Sequence, residues 1–195
     1  MIRKNHYDIF CCSTDGGWIM KTRIFLPVLV FMLLVAPAMA KPPVAVYFSP
    51  NGGAEKALVA AIDQAQQRIQ AAVYTFTSRT VAKALLRAVK RGVKVSMILD
   101  GNDESEYSKG YYVSKRGIAV RYARGRRRKG KKISYGLMHD KFAVIDGRLV
   151  VTGSYNWTVS AERWNYENLL VVDSVSLASR YEQEFNKIWS GTFMK

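Results

Sequence analysis

The chain has 195 residues, with 30 lysines and arginines against 15 aspartates and glutamates, a formal net charge of +15. Both cysteines, Cys11 and Cys12, fall within the first forty residues, so the rest has no disulfide, no thiolate nucleophile and no Cys/His zinc site. Taking the four basic and two acidic residues of those forty from the totals leaves +13, which favours a polyanionic partner, either nucleic acid or anionic lipid.

Met20-Lys21-Thr22-Arg23 is a short basic stretch ahead of twelve apolar residues, Ile24–Val35, and the small-residue end Ala36-Pro37-Ala38-Met39-Ala40. This order is that of a secretory signal with translation starting at Met20 and cleavage after Ala40. The apolar run is shorter than the roughly 18 residues of a membrane span, and Pro27 interrupts it. The expectation is an exported, periplasmic product, or an inner-membrane-anchored one if the signal stays attached. Residues 41–195 are then one domain, long enough for a real core.

Within that domain, Val44–Phe48 is a short apolar run closed by the loop composition of Ser49–Gly53. Ala57, Leu58, Ala61, Ile62 and Ala65 recur at helical spacing and predict a helix over 54–67. Ile69–Thr77 reads as a strand, and Ser78 can cap a helix with Val81, Leu85, Ala88 and Val89 inside and Gly92 as its stop. Val93–Leu99 is a further strand, followed by the acidic loop Asp100–Glu106. A calcium reading of that loop fails, because Ser105 stands where glycine is needed and Tyr111 where glutamate is needed. The expectation there is a solvated loop. A helix over 107–115 and a strand over 118–122 come next. Arg121–Lys132 then holds eight basic residues in twelve, with no acid, and is expected to be a mobile solvated loop. A strand over 167–172 and a helix with Leu177, Tyr181, Phe185, Ile188 and Trp189 on one face complete the chain. Strands alternating with helices predict an α/β layered domain.

Beyond Ala40 there is one histidine, His139. Phe142–Ile145 and Leu149–Val151 are apolar runs joined through Asp146-Gly147, a hairpin signal, since a type I′ turn needs positive φ at both central positions. Residues two apart on a strand share a face, so His139 and Lys141 project together, while Asp146 has the opposite parity. An ammonium can neutralise non-bridging phosphate oxygens, and an imidazole can attack phosphorus or move a proton. Turn chemistry alone also explains Asp146. Asn156 can cap the segment after Thr158, and Ser154 is either turn chemistry or a hydroxyl donor. Trp157, with Tyr122, Tyr135 and Trp164, is either a base-stacking surface or ordinary core and rim. The basic residues Arg124, Arg126, Arg127, Arg128, Lys129, Lys131 and Lys132 are candidates for nucleic-acid contact, because a strand from the cleft draws them near His139.

His139-x-Lys141-x4-Asp146, followed by Gly153-Ser154-x-Asn156 and Asn165-Tyr166-Glu167-Asn168, resembles the signature of the phospholipase D superfamily. Val73–Leu85 is similar to the upstream segment of its single-motif bacterial periplasmic endonucleases, which are related to mitochondrial cardiolipin-hydrolase-like nucleases. The resemblance implies a central mixed β-sheet flanked by helices on both faces. It also implies catalysis by His139, Lys141, Asp146 and Glu167, with Ser154 and Asn156 on the phosphate and Glu167 accepting from the imidazole. His139 would form a phosphohistidine and a second histidine would protonate the leaving oxygen, so the single histidine implies a homodimer. Neither metal nor cofactor is implied. The function expected is a nonspecific endonuclease on DNA or RNA. The alternatives are a cardiolipin-like phospholipid hydrolase and a non-catalytic basic nucleic-acid-binding protein.

Overall fold

The computed structural model describes residues 43–130 and 133–191. The expected signal segment, Lys131 and Lys132 lie outside them. Eight strands form one mixed sheet in the order β1-β8-β7-β6-β2-β3-β4-β5. Its centre is built from β2 (Arg68–Val73), α2 (Arg79–Lys90) and β3 (Lys94–Asp100), with β3 followed by α3 (Lys109–Ser114) and β4 (Ala119–Arg127). β2, β3 and β4 are mutually parallel, as strands joined through helical crossovers must be. The remaining pairings are antiparallel: β1 (Val44–Ser49) with β8 (Glu167–Asp173), β8 with β7 (Leu149–Gly153), β7 with β6 (Lys141–Ile145), β6 with β2, and β4 with β5 (Tyr135–Leu137).

Helices cover both faces, as the family resemblance implies. α1 (Ala54–Gln64) and α2 bury Leu58, Ile62, Val81 and Leu85 against one face. Ser78 caps α2 by accepting from the Val81 N–H at 3.2 Å. On the other face α5 (Val175–Ser190) buries Ala178 and Phe185, with Tyr181 edge-on to Phe142 at 4.8 Å and Trp189 stacked on Phe185 at 5.4 Å. Each fully buried Leu, Ile or Phe contributes about 1.5–3 kcal/mol, so these two apolar layers dominate the stability.

The Asp-Gly hairpin forms as the dipeptide predicts. Asp146 and Gly147 have φ of 54° and 66°, and the Arg148 N–H donates to the Ile145 carbonyl at 3.1 Å. Two expected loops carry more order than the sequence suggests. The basic run continues β4 as far as Arg127 and returns through β5, with the Arg128 N–H donating to the Ser134 carbonyl at 2.8 Å. Gly125 and Gly136 face each other there, and a Cβ on Gly125 would meet the Gly136 backbone at 2.8 Å. The acidic loop is likewise anchored. Asp100 is 1% exposed and its carboxylate caps a 3₁₀ turn, Gly101–Asp103, through the Asn102 N–H at 3.0 Å.

Candidate active site

The carboxyl ends of β2 and β3, the end of β7 and the starts of β6 and β8 meet along one edge of the sheet, where open α/β sheets bind ligands. The β2–β6 register places Val73 opposite Lys141, and the Tyr74 N–H continues the ladder by donating to the Asp140 carbonyl at 2.8 Å. That register delivers three side chains to one point. The Lys141 ammonium donates to the His139 carbonyl at 2.6 Å and lies 3.2 Å from His139 Nδ1. The Tyr74 ring packs against the imidazole, with centroids 4.4 Å apart, and sits 5.0 Å from Lys141 Nζ. Strand parity thus brought His139 and Lys141 together as expected. Tyr74 was missed, although it stands beside them once β2 and β6 pair.

Lys141 is half-buried, and that burial holds its pKa below the ordinary lysine value, against the opposing charges of Asp140 and Glu167. The cation therefore gains by meeting an anion, which restores part of its lost hydration.

A cavity of about 510 Å³ opens beside this pair, walled by Gly153, Ser154, Asn156 and Glu167 among others. Gly153 has φ of 151°, and a Cβ there would collide with the Asn168 carbonyl oxygen, so only glycine lets β7 and β8 close up at this end. That approach lets Ser154 Oγ donate to Glu167 Oε2 at 2.5 Å while accepting from the Asn168 N–H at 3.1 Å. Asn165 Nδ2 donates to the other carboxylate oxygen at 3.2 Å. Ser154 and Glu167 are therefore a preformed pair. Among the described residues no hydrogen bond joins Glu167 to His139, the contact the family pattern implies. Asn156 does not cap the following helix, because Thr158 does so by accepting from the Ala161 N–H at 3.0 Å. Its side-chain Oδ1 is instead buried with no partner among the described residues. A ligand or water donor would satisfy that oxygen, and turning the amide would present two N–H donors to an anion.

Two predicted site residues stand elsewhere. Asp146 occupies the far end of β6, five residues from Lys141 and so about 17 Å away. Its carboxylate accepts from the backbone N–H groups of Gln66, Gln67 and Arg68 at 2.8, 2.8 and 2.9 Å. Partial burial raises its pKa, but those three donors and the Arg68 charge outweigh it and leave the pKa lowered. Asp146 pins the hairpin to the α1–β2 connection. Trp157 is 1% exposed and packs edge-on to Phe76 with centroids 6.0 Å apart, so it is core and cannot stack on a base.

The arm formed by β4 and β5 reaches the site. Arg124 and Arg126, two apart on β4, line a second cavity of about 350 Å³ together with Met138, His139, Asp140 and Glu184. Arg127, Arg128 and Lys129 are exposed farther along. Arg121 is structural, its guanidinium bonded to the Trp189 carbonyl and 4.5 Å from the Trp189 ring. Asp100 also acts here, since its Oδ2 accepts from the Met138 N–H at 2.8 Å and fixes the residue preceding His139. No sequence signal marked that contact, which spans 38 residues. Among the described residues no group of three or more His, Cys, Asp or Glu has the arrangement of a metal site.

A histidine–lysine pair at the carboxyl edge of a mixed sheet, beside an amide, a hydroxyl and a carboxylate, is the equipment of a phosphate-handling α/β domain. The chain belongs to the phospholipase D-like family. Residues 58–189 match the family described as "Cardiolipin synthase, PLD-like domain". The chain is 40% identical over 128 residues to the mitochondrial cardiolipin hydrolase of Xenopus tropicalis, covering 65% of this chain and 56% of that protein. This chain thus spans little more than half of that relative. In structure it is similar to NucT from Helicobacter pylori, with a TM-score of 0.71 and 30% identity over 75% of this chain and 95% of that one. It is also similar to Nuc from Salmonella typhimurium, a phospholipase D family member, with a TM-score of 0.66 and 31% identity over 77% and 95%.

Proposed function

We propose that this protein is an exported phosphodiesterase that cuts nucleic acid without a metal ion, through a phosphohistidine on His139, as a homodimer. The observation that carries the proposal is the contact between His139 and Lys141, set between the cavity walled by Ser154 and Asn156 and the basic arm. An arriving phosphodiester draws the Lys141 ammonium from His139 to its non-bridging oxygens, with Asn156 as a further donor. A nitrogen of His139 then bonds to phosphorus and the bond to the leaving oxygen breaks. That oxygen takes a proton from a second imidazole. Water, giving its proton back to that imidazole, attacks phosphorus and breaks the P–N bond, which releases the phosphomonoester and frees His139.

The second imidazole is His139 of a second copy, because residues 41–195 hold no other histidine. An uncovered apolar strip supports this assembly. Val44, Val46 and Phe48 on β1 are 51–58% exposed. They share the sheet face that α5 covers only in part, since Val44 pairs with Val172 and Val172 with Val150. Arg124 and Arg126 beside His139 support nucleic acid as substrate. The similarity to a cardiolipin hydrolase supports the second reading, hydrolysis of an anionic phospholipid by the same chemistry. Turnover of plasmid DNA and of cardiolipin liposomes in excess chelator separates the two. The proposal expects chelator-resistant DNA cleavage and a dimeric mass in solution. Hydrolysis confined to the liposomes would favour the lipid reading instead.

A further inference from the structure

The catalytic edge and its arm do not account for all of the positive charge. Between Asp63 and Asp100 there is no acidic residue, and α2 lies within that interval. Its inner face is core, with Val81, Ala84, Leu85 and Ala88 fully buried. Its outer face carries Arg79, Lys83 and Lys90, four and then seven residues apart. At 100° per residue these positions fall within about 40° of one another, and they extend over about 16 Å of the helix. All three are exposed, and none has an ion pair or hydrogen bond among the described residues. Arg87, beside them, is bound to Asp63 at 2.7 Å.

α3 adds a second wall. The groove between the helices has a volume of about 420 Å³ and is lined by Lys83, Leu86, Arg87, Lys90, Tyr112 and Arg116, with no carboxylate among them. The Arg116 guanidinium lies 3.9 Å from the Tyr112 ring centroid, so an exposed aromatic and a cation are held together at the rim. The stripe also starts at the catalytic edge. The N–H of Ser78, the α2 cap, donates to the carbonyl of Trp157, the residue after Asn156.

We infer that the outer face of α2, with the Tyr112–Arg116 rim, is a second binding surface for the nucleic-acid backbone, which holds the strand running away from the cleft. The inference rests on the nuclease reading of the site and extends it to an exosite. A B-form strand passes about one phosphate per 3.4 Å of axis, so the stripe lies alongside about five phosphates. Nucleic acid fits this face better than a lipid surface does. Leu86 is the groove's one aliphatic side chain and is half-buried, and its one aromatic, Tyr112, lies against the Arg116 guanidinium, so the groove offers a bilayer little apolar surface. Phe48, Leu137 and Trp164, all exposed, are on β1, on β5 and beyond α4 (Val159–Arg163), while the exposed aromatics of α3, Tyr111 and Tyr112, lie against the cations Lys115 and Arg116.

The test is the triple variant Arg79→Gln, Lys83→Gln, Lys90→Gln in the full domain, against wild type, on long duplex DNA and on an oligonucleotide too short to leave the cleft. Each lost phosphate contact lowers the slope of log K against log salt by about 0.9, so the slope for long DNA falls by about 2.7. KM for long DNA rises at least about tenfold at physiological salt. The short substrate keeps its wild-type kcat/KM, and circular dichroism shows the same fold. An unchanged salt slope, with wild type cutting long DNA normally, overturns the exosite and leaves the nuclease reading standing. So does a variant that loses anionic-vesicle binding while its DNA binding is unaltered. Failure of wild type to bind or cut any nucleic acid overturns both.

Discussion

Replacing Asp146 separates anchoring from chemistry more sharply than any other change in the family motif. Its carboxylate accepts three backbone N–H groups at 2.8–2.9 Å and sits on a residue at φ 54°. Hydrogen bonds to a charged group contribute about 1.5–3 kcal/mol each when buried. Asp146 is half-exposed, so solvent screening reduces the set to about 2–3 kcal/mol in all. Asp146→Asn tolerates the turn and keeps one acceptor oxygen, so it costs about 1–2 kcal/mol. Asp146→Ala loses every acceptor and adds strain of about 1 kcal/mol at positive φ. The assay is thermal unfolding of both variants beside steady-state kinetics corrected for the folded fraction. The lower Tm, by about 2–4 °C per kcal/mol in a domain of this size, is expected with kcat unchanged. The pH dependence has a definite sign. The folded carboxyl has a lowered pKa, so its stabilisation is full above the unfolded value of about 3.9 and is lost as pH falls through the folded one. Wild type and Asp146→Asn therefore converge at low pH. A hundredfold loss of kcat in a variant of undiminished stability would refute the anchoring role.

Lys141→Met is expected to lower kcat/KM by at least about a hundredfold while leaving the fold stable, since it removes the cation set for the phosphate charge. In wild type, the low-lying lysine pKa predicts that KM begins to rise on the alkaline side below the ordinary value of about 10.4, as a pH profile of KM will show. Asp100→Ala strands two backbone N–H groups and loosens the residue before His139. Unfolding should register about 2–4 kcal/mol, and kcat of the folded fraction should fall about tenfold or more, with Asp100→Asn intermediate in both. Trp157→Ala is expected to cost about 3–5 kcal/mol in stability through the cavity it leaves, whereas Trp164→Ala, at a residue 75% exposed, should leave thermal stability unchanged.

Period and parity carried most of the fold. Apolar spacing marked α1, α2 and α5, the Asp-Gly pair marked the β6–β7 turn, and the alternation of strands and helices marked the layered architecture. On the site, the two-residue offset was enough to unite His139 with Lys141. What stayed hidden depends on contacts between distant segments. A run of eight cations in twelve looks like solvated coil, yet Gly125 and Gly136 let β4 and β5 pair closely enough to make its part as far as Arg127 a strand. Asp100 looks like part of an acidic loop until β3 ends beneath Met138. Trp157 beside a motif suggested a stacking platform, but the Phe76–Trp157 bridge draws it into the core. Parity and turn chemistry already set Asp146 apart from His139 and Lys141, but its partners on the α1–β2 connection, 78 to 80 residues away, were not legible.

The most direct test of the central claim is mass spectrometry of the enzyme quenched in alkali during turnover of an oligonucleotide, with excess chelator present. The expected result is an adduct of the oligonucleotide fragment joined through its phosphate to the peptide containing His139, absent from His139→Ala, which should also produce no cut ends. Cleavage by His139→Ala at the wild-type rate, or cleavage that stops on adding chelator with no adduct formed, would contradict it.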